Sequence, residues 1–274
     1  MSITPSPQQA DAIAAIVEWF RHRLGQQQVF RLFGYAGTGK STITAAAMAA
    51  LGLDPMARDG DTAGGVLFAA FTGKAALVMT RKGTPASTIH SLIYRVSEAT
   101  PEEIARVETE LANLRRTRPR MGPAERAFAE TQIRRLELRL ADIHKPTFLL
   151  NEQSLVRDAA LVVLDEVSMV GREMAADLLA FGKPILVLGD PGQLPPIKDA
   201  GAFTDAPPDV MLTEIHRQAG ESAIIRLATM ARQGIEIPPG PHDEHVWKLP
   251  RSAVSPAQML RGGQVICGRN DTRL

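Results

Sequence analysis

Cysteine is nearly missing from this chain: Cys267 stands alone, so no internal disulfide and no cysteine-cluster metal site can form, and a reducing compartment, the cytoplasm, is expected. An excess of charge of one sign is missing too. Lys and Arg number 31 against 30 Asp and Glu, which leaves net charge silent about nucleic-acid partners and throws that question onto local clusters. Aromatic residues are scarce at 5%, and no apolar run approaches the roughly 18 residues of a membrane span. The N-terminal Met-Ser-Ile-Thr-Pro-Ser-Pro lacks the basic start and apolar stretch of a signal peptide, so neither export nor membrane insertion is expected. What remains is an ordinary folded composition, 45% hydrophobic and 22% charged over 274 residues, enough for one large domain or two modest ones.

Short runs rich in Val, Leu, Ile and Phe recur along the chain at Val29 to Phe33, Val66 to Phe71, Leu161 to Asp165, Ile185 to Gly189 and Val210 to Thr213. Alternating with helical stretches, they predict buried parallel strands in an α/β sheet. Ala10, Ile13, Ala14, Val17 and Phe20 follow Pro7 at helical spacing, and further helices are predicted over Lys40 to Leu51, Lys74 to Arg81, Ser87 to Arg95, Arg172 to Ala180 and Glu221 to Gln233.

Thr100 to Ile143 breaks the alternation, being rich in Glu, Arg, Leu and Ala without a strand signal. Ile104, Val107, Leu111 and Leu114 form one apolar stripe; Ile133, Leu136, Leu140 and Ile143 form a second after the breaker at Pro119 to Pro123. Two such stripes predict an inserted antiparallel helical hairpin, an arm projecting on the order of 25 Å. Arg115, Arg116, Arg118 and Arg120 crowd its tip, which fits a solvated helical decoration, docking of a replication or repair partner, or contact with DNA phosphates. The proline-rich stretch Ile235 to Pro256 reads as a connection, and Gln264 to Gly268 resembles one more strand.

Chemistry concentrates after the strands. Gly34-Tyr-Ala-Gly37-Thr38-Gly39-Lys40-Ser41-Thr42 matches the phosphate-binding pattern G-x-x-x-x-G-K-[ST], with a strand before it and a helix after it. Its glycines let backbone amides wrap a polyphosphate, Lys40 opposes the outer phosphates, and the Ser41 hydroxyl suits Mg²⁺. Leu161 to Glu166 delivers two carboxylates to a strand end. Asp165 suits the same Mg²⁺, and Glu166 suits the base or orienter of an attacking water, although alone the stretch is equally an acidic loop. Gln193, just past the strand Ile185 to Gly189, suits contact with a γ-phosphate or the lytic water, unless its amide merely caps a proline-rich turn.

Taken together and in order, the Gly34 to Ser41 loop, Ala70-Phe-Thr72-Gly-Lys74, Ala86-Ser87-Thr88-Ile-His90, Asp165-Glu-Val-Ser168-Met, Gly189-Asp-Pro-Gly-Gln193-Leu-Pro-Pro and Leu212-Thr-Glu-Ile-His-Arg217-Gln resemble the motifs of superfamily 1B DNA helicases, RecD-like and phage Dda-type. The resemblance implies a RecA-like P-loop NTPase fold, ATP and Mg²⁺ as cofactors, single-stranded or forked DNA as partner and 5′ to 3′ translocation. It makes Gln9 the adenine-contacting glutamine and Arg217 an arginine that reaches the γ-phosphate, and it puts Thr72, Lys74, Ser87, Thr88 and His90 on the DNA track. Residues 1–260 are then expected to be the first motor domain, with the arm at about 97–150, and residues 261–274 the first strand of a second motor domain.

Three departures stand out. Phe71 replaces the proline common at its position, the arm is helical where the Dda-type insertion is a strand-bearing pin, and the second motor domain's motifs, including its arginine finger, are absent from this chain. A missing finger of that kind is worth about 10³ to 10⁵ in rate, so weak or no turnover is expected from these residues alone. Two rivals remain open at this point: a nucleotide-gated DNA-binding module that does not translocate, and a P-loop phosphotransferase, for which no acceptor site is visible.

Overall fold

The structure is a computed structural model that describes residues 4–22, 27–55, 65–143, 147–193, 201–214, 222–255 and 266. Its centre is a sheet of six parallel strands: β1 (Val29–Gly34), β2 (Val66–Ala70), β3 (Ala86–Thr88), β6 (Leu161–Asp165), β7 (Ile185–Gly189) and β8 (Val210–Leu212), in the order β3-β2-β6-β7-β1-β8. The period-two alternation of each strand divides its side chains between two cores. Phe30 and Leu32 of β1, Leu161 and Val163 of β6, and Leu186 and Leu188 of β7 face α1 (Pro7–His22) and α2 (Lys40–Leu51), which contribute Ala12, Ile16, Trp19, Ile43, Ala47 and Met48. On the opposite face Val29, Phe33, Val162, Leu164, Ile185 and Val187 meet α4 (Ile89–Ile93), α7 (Arg172–Leu179), Val156 and Phe203. Burial on both faces explains why the strands read as unbroken apolar runs.

Helix α3 (Gly73–Arg81) begins where the Thr72 side chain accepts the Ala75 N–H, and α8 (Ala223–Arg232) follows β8 in the chain. The helix predicted over Ser87 to Arg95 is corrected by the structure. Ala86 to Thr88 pair in parallel with Phe68 to Ala70, so this segment extends the sheet, and Thr88 then caps α4 by accepting the Ser91 N–H at 3.1 Å. Beyond α4 the chain extends again as β4 (Tyr94–Ser97), which pairs antiparallel with β5 (Thr147–Leu150). Tertiary pairing outweighs helical spacing here because Tyr94, Val96, Thr147 and Phe148 are β-formers with partners across the ribbon. A second small ribbon, β9 (Gly240–Pro241) with β10 (Trp247–Lys248), interrupts the connection predicted over Ile235 to Pro256. The strand predicted at Gln264 to Gly268 lies outside the described residues, apart from Ile266.

Between β4 and β5 stands the arm, built of α5 (Pro101–Thr117) and α6 (Pro123–Ile143). Thr100 and Glu103 form a capping box: the Thr100 Oγ1 accepts the Glu103 N–H at 3.2 Å and Glu103 Oε2 accepts the Thr100 N–H at 2.9 Å. Val107, Leu111, Ile133 and Leu136 form a buried seam of their own, separate from the two cores of the sheet. The predicted hairpin therefore carries its own core, and the β4–β5 ribbon is its base. Two tip arginines are spent within the arm, Arg115 on Glu137 at 2.7 Å and Arg118 on Glu130 at 3.4 Å.

Candidate nucleotide site

The phosphate loop, Asp165, Glu166 and Gln193 lie at or just past the C-terminal ends of parallel strands, where an open α/β sheet leaves room for a ligand. Strand β7 lies between β1 and β6, so the turn bearing Gln193 sits between the phosphate loop and the two carboxylates. The three segments meet in one cavity of about 760 Å³, lined among others by Gly37, Gly39, Lys40, Ser41, Thr42, Asp165, Glu166 and Gln193.

The loop's shape is imposed by its glycines. Gly37 and Gly39 hold φ of 83° and 85°, a left-handed conformation that costs an L side chain about 1–2 kcal/mol. Gly34 is required for a different reason: a Cβ there would lie 2.7 Å from Thr38 Oγ1 and 2.8 Å from Leu212 Cβ. Gly39 starts α2 without a capping side chain, so the first amide donors of that helix remain directed at the loop's concavity. Lys40 Nζ donates to the Gly34 and Tyr35 carbonyls, at 2.5 and 3.2 Å.

Behind the loop, Thr38 is buried and donates its hydroxyl to the Tyr35 carbonyl at 2.9 Å. Gln9 is buried as well; it donates to the Thr38 carbonyl at 3.2 Å and accepts the Ser6 N–H at 3.0 Å. It thus touches the loop from the rear, outside the set that lines the cavity. Its neighbour Gln8, not singled out by the sequence, accepts the Thr213 and Glu214 N–H groups at 3.0 and 3.1 Å and so ties α1 to the exit of β8. That exit leads toward Arg217, which lies outside the described residues.

Across the cavity, Asp165 Oδ1 accepts the Glu166 N–H at 2.9 Å. Glu166 adopts φ 58°, the one positive φ among the described non-glycine residues, a costly conformation of the kind found where backbone is held for a purpose. Burial raises the Asp165 carboxyl above its ordinary pKa, and the Glu166 charge adds to the rise while the Glu166 N–H, Lys40 and Lys82 oppose it. Burial likewise lowers Lys40, although Asp190, Asp165 and Glu166 pull it back. Ser168 Oγ donates to Gln193 Oε1 at 2.9 Å, which leaves the amide NH₂ as the donor end of Gln193 at the cavity. Among the described residues no cluster of three or more His, Cys, Asp or Glu could hold a metal unaided. One hydroxyl, on Ser41, and the Asp165 carboxylate instead suit a hard divalent cation that takes its remaining ligands from phosphate oxygens and water.

The five residues expected on the DNA track do not form one set. Thr72 and Lys74 line the same cavity as the phosphate loop. Ser87 lines a smaller one of about 400 Å³ with Thr80, Asn151 and Gln153. Thr88 is a helix cap, and His90 lies within a ring cluster, 6.0 Å from Phe71 and 5.9 Å from both Tyr94 and Phe148. The Tyr94 hydroxyl donates to Asp177 Oδ2 at 2.5 Å, fastening the base of the arm to α7. Sequence reasoning also missed Tyr35, Asp190 and Arg232, which pack together beside the loop.

An AAA domain family matches residues 4–237 of the chain. The ATP-dependent RecD2 DNA helicase of Deinococcus radiodurans is 43% identical over 75 residues, a stretch that covers 25% of this chain and 10% of that protein. Among solved structures, the Pif1 helicase of Candida albicans covers 86% of this chain at 22% identity and a TM-score of 0.45, with 46% of its own length matched. A Bacteroides Pif1 in complex with ADP-AlF4 covers 79% at 19% identity and a TM-score of 0.44, with 44% of its length matched. The chain thus spans less than half of each of these proteins, and among its described residues no helix is long and apolar enough to cross a membrane. With residues 4–237 inside one family, the chain belongs to the AAA domain family.

Proposed function

We propose that this chain is the ATP-binding portion of a DNA helicase motor that moves 5′ to 3′ along single-stranded DNA. The observation that carries the reading is the convergence of Lys40, Ser41, Asp165, Glu166 and Gln193 on one cavity at the C-terminal edge of the sheet. ATP fits that cavity. Lys40 exchanges the carbonyls of Gly34 and Tyr35 for the outer phosphates, a trade of neutral acceptors for charged ones. Gly37, Gly39, Ser41 and Thr42 supply the amides of the loop and of the first turn of α2, while Thr38 shapes the loop through its bonds to the Tyr35 carbonyl. Gln9, the glutamine expected at adenine, instead fixes the loop from behind through Thr38, and Gln193 directs its NH₂ at the terminal phosphate.

Mg²⁺, held by Ser41 and Asp165, would neutralise charge on the phosphate oxygens. Glu166 then orients and deprotonates the attacking water, its side chain exposed at the cavity wall. Arg217 adds a positive charge at the γ-phosphate. DNA runs over Thr72, Lys74, Ser87, Thr88 and His90, and the arm stands beside that track at the fork.

Binding of Mg-ATP by calorimetry, with ATP turnover in the presence and absence of single-stranded DNA, tests the reading. Nucleotide binding abolished by Lys40→Ala, together with DNA-stimulated turnover, supports the motor. DNA binding that depends on nucleotide but gives no turnover supports a gated DNA-binding module, and phosphate transfer to an acceptor other than water supports a phosphotransferase.

A further inference from the structure

Arg232, the last residue of α8, belongs to none of the motifs. Its guanidinium carbon nevertheless lies 3.9 Å from the centroid of the Tyr35 ring, and its Nη2 lies 4.0 Å from Asp190 Oδ2. Tyr35 opens the phosphate loop; Asp190 opens the turn that ends at Gln193. Arg232 therefore touches, with one side chain, the two turns that flank the place of the terminal phosphate.

Both contacts are built closely. A Cβ on Gly192 would lie 2.5 Å from Arg232 Nε and 2.9 Å from its Cδ, so the turn packs directly against the arginine side chain. Asp190 is buried; its Oδ1 accepts the Gly192 N–H at 2.9 Å and its carbonyl accepts the Gln193 N–H at 3.0 Å. A push on Asp190 is thus passed directly to Gln193. On the other side the Tyr35 carbonyl accepts the Thr38 N–H at 3.3 Å, the Thr38 hydroxyl at 2.9 Å and Lys40 Nζ at 3.2 Å, so Tyr35 anchors the loop and its lysine. Arg232 is close enough for its charge to lower the proton affinity of Lys40.

We infer that Arg232 is a positioning residue of the nucleotide site: it fixes the separation of the phosphate loop from the Gln193 turn and so sets where the Gln193 amide meets the terminal phosphate. The inference rests on the ATP reading above. Arginine suits the task because its planar group stacks on a ring and pairs with a carboxylate at once, whereas lysine keeps the charge and loses the plane. Removing Arg232 takes this partner from the buried Asp190 carboxylate, a cost to folding that falls on both nucleotides alike. The effect of losing Arg232 therefore appears in nucleotide discrimination.

The test is calorimetry of the full chain with ADP and with the non-hydrolysable triphosphate AMP-PNP, each with Mg²⁺. Arg232→Ala is expected to weaken AMP-PNP about tenfold, the value of one hydrogen bond to a charged group, and ADP less than about twofold, because Gln193 serves only the terminal phosphate. Gln193→Ala should show the same pattern, the double variant should be no weaker than Gln193→Ala alone, and Arg232→Lys should recover only part of the loss. Equal weakening of both nucleotides, an unchanged ratio or additive losses in the double variant would overturn the inference while leaving the ATP reading intact. A parent protein that bound neither nucleotide would overturn both. Arg232→Lys, the milder change, carries the same comparison if Arg232→Ala fails to fold.

Discussion

Replacing Gly34 by Ala tests the close fit between the phosphate loop and the sheet. The added Cβ would stand 2.8 Å from Leu212 Cβ and 2.7 Å from Thr38 Oγ1. Carbon atoms rest at about 3.5–4.0 Å, so the loop and β8 must part by about 0.7 Å or more. Neither neighbour yields easily, since Leu212 and Thr38 are both buried. Overpacking of this kind costs about 1–3 kcal/mol, which for a domain of this size lowers the melting temperature by roughly 2–12 °C. The same displacement shifts the start of the phosphate loop and with it the amides that meet the phosphates, so ADP affinity should fall. Gly52→Ala is the matched control. Its φ of 67° makes alanine unfavourable by about 1–2 kcal/mol, yet nothing lies within 4 Å of the new Cβ and α2 ends there, away from the loop. Thermal melts and ADP calorimetry on both variants decide the matter. A Gly34→Ala protein that melts and binds ADP like the parent would refute the packing argument.

The remaining expectations concern the carboxylate, the arm and its tip. Glu166→Gln should keep Mg-ATP affinity within a few-fold while any DNA-stimulated turnover falls about 10² to 10⁴-fold, and unchanged turnover would remove Glu166 from the mechanism. Leu111→Ala, in the seam of the arm, should cost about 2–5 kcal/mol and appear as faster amide exchange across α5 and α6 with ADP binding unchanged; a loss of ADP affinity would contradict the arm's independence. Replacing Arg115, Arg116, Arg118 and Arg120 together should flatten the salt dependence of forked-DNA binding by up to about 0.7 log units per lost single-strand contact. An identical salt slope would leave the pairs of Arg115 with Glu137 and Arg118 with Glu130 as braces of the hairpin and nothing more.

The sheet and the phosphate loop were legible in the residues because one local pattern specifies each. Val162 and Leu164 on one face against Leu161 and Val163 on the other make an unbroken apolar run, and the spacing of Gly34, Gly39 and Lys40 is a backbone requirement. The arm was legible for the same reason, since its two stripes form their own seam. Strand β3 was hidden because Ala86, Ser87 and Thr88 carry no apolar run and become a strand only by pairing with Phe68 to Ala70. The β4–β5 ribbon joins residues on either side of the arm, such as Val96 and Phe148, and no local window holds both. Arg232 is the extreme case: on α8 it looks like any arginine at a helix C-terminus, and only the return of the chain to Tyr35 and Asp190 gives it a place at the site.

Calorimetry of Mg-ATP binding to the parent chain and to Lys40→Ala tests the central claim most directly. Lys40 lines the cavity, its ammonium is the main point charge that would oppose the outer phosphates, and its loop position leaves both cores of the sheet untouched. The account predicts saturable one-to-one binding by the parent, and a Lys40→Ala protein that keeps its melting curve and gives no measurable heat at the same concentrations. Equal affinity in the two proteins would contradict the assignment of this cavity to ATP.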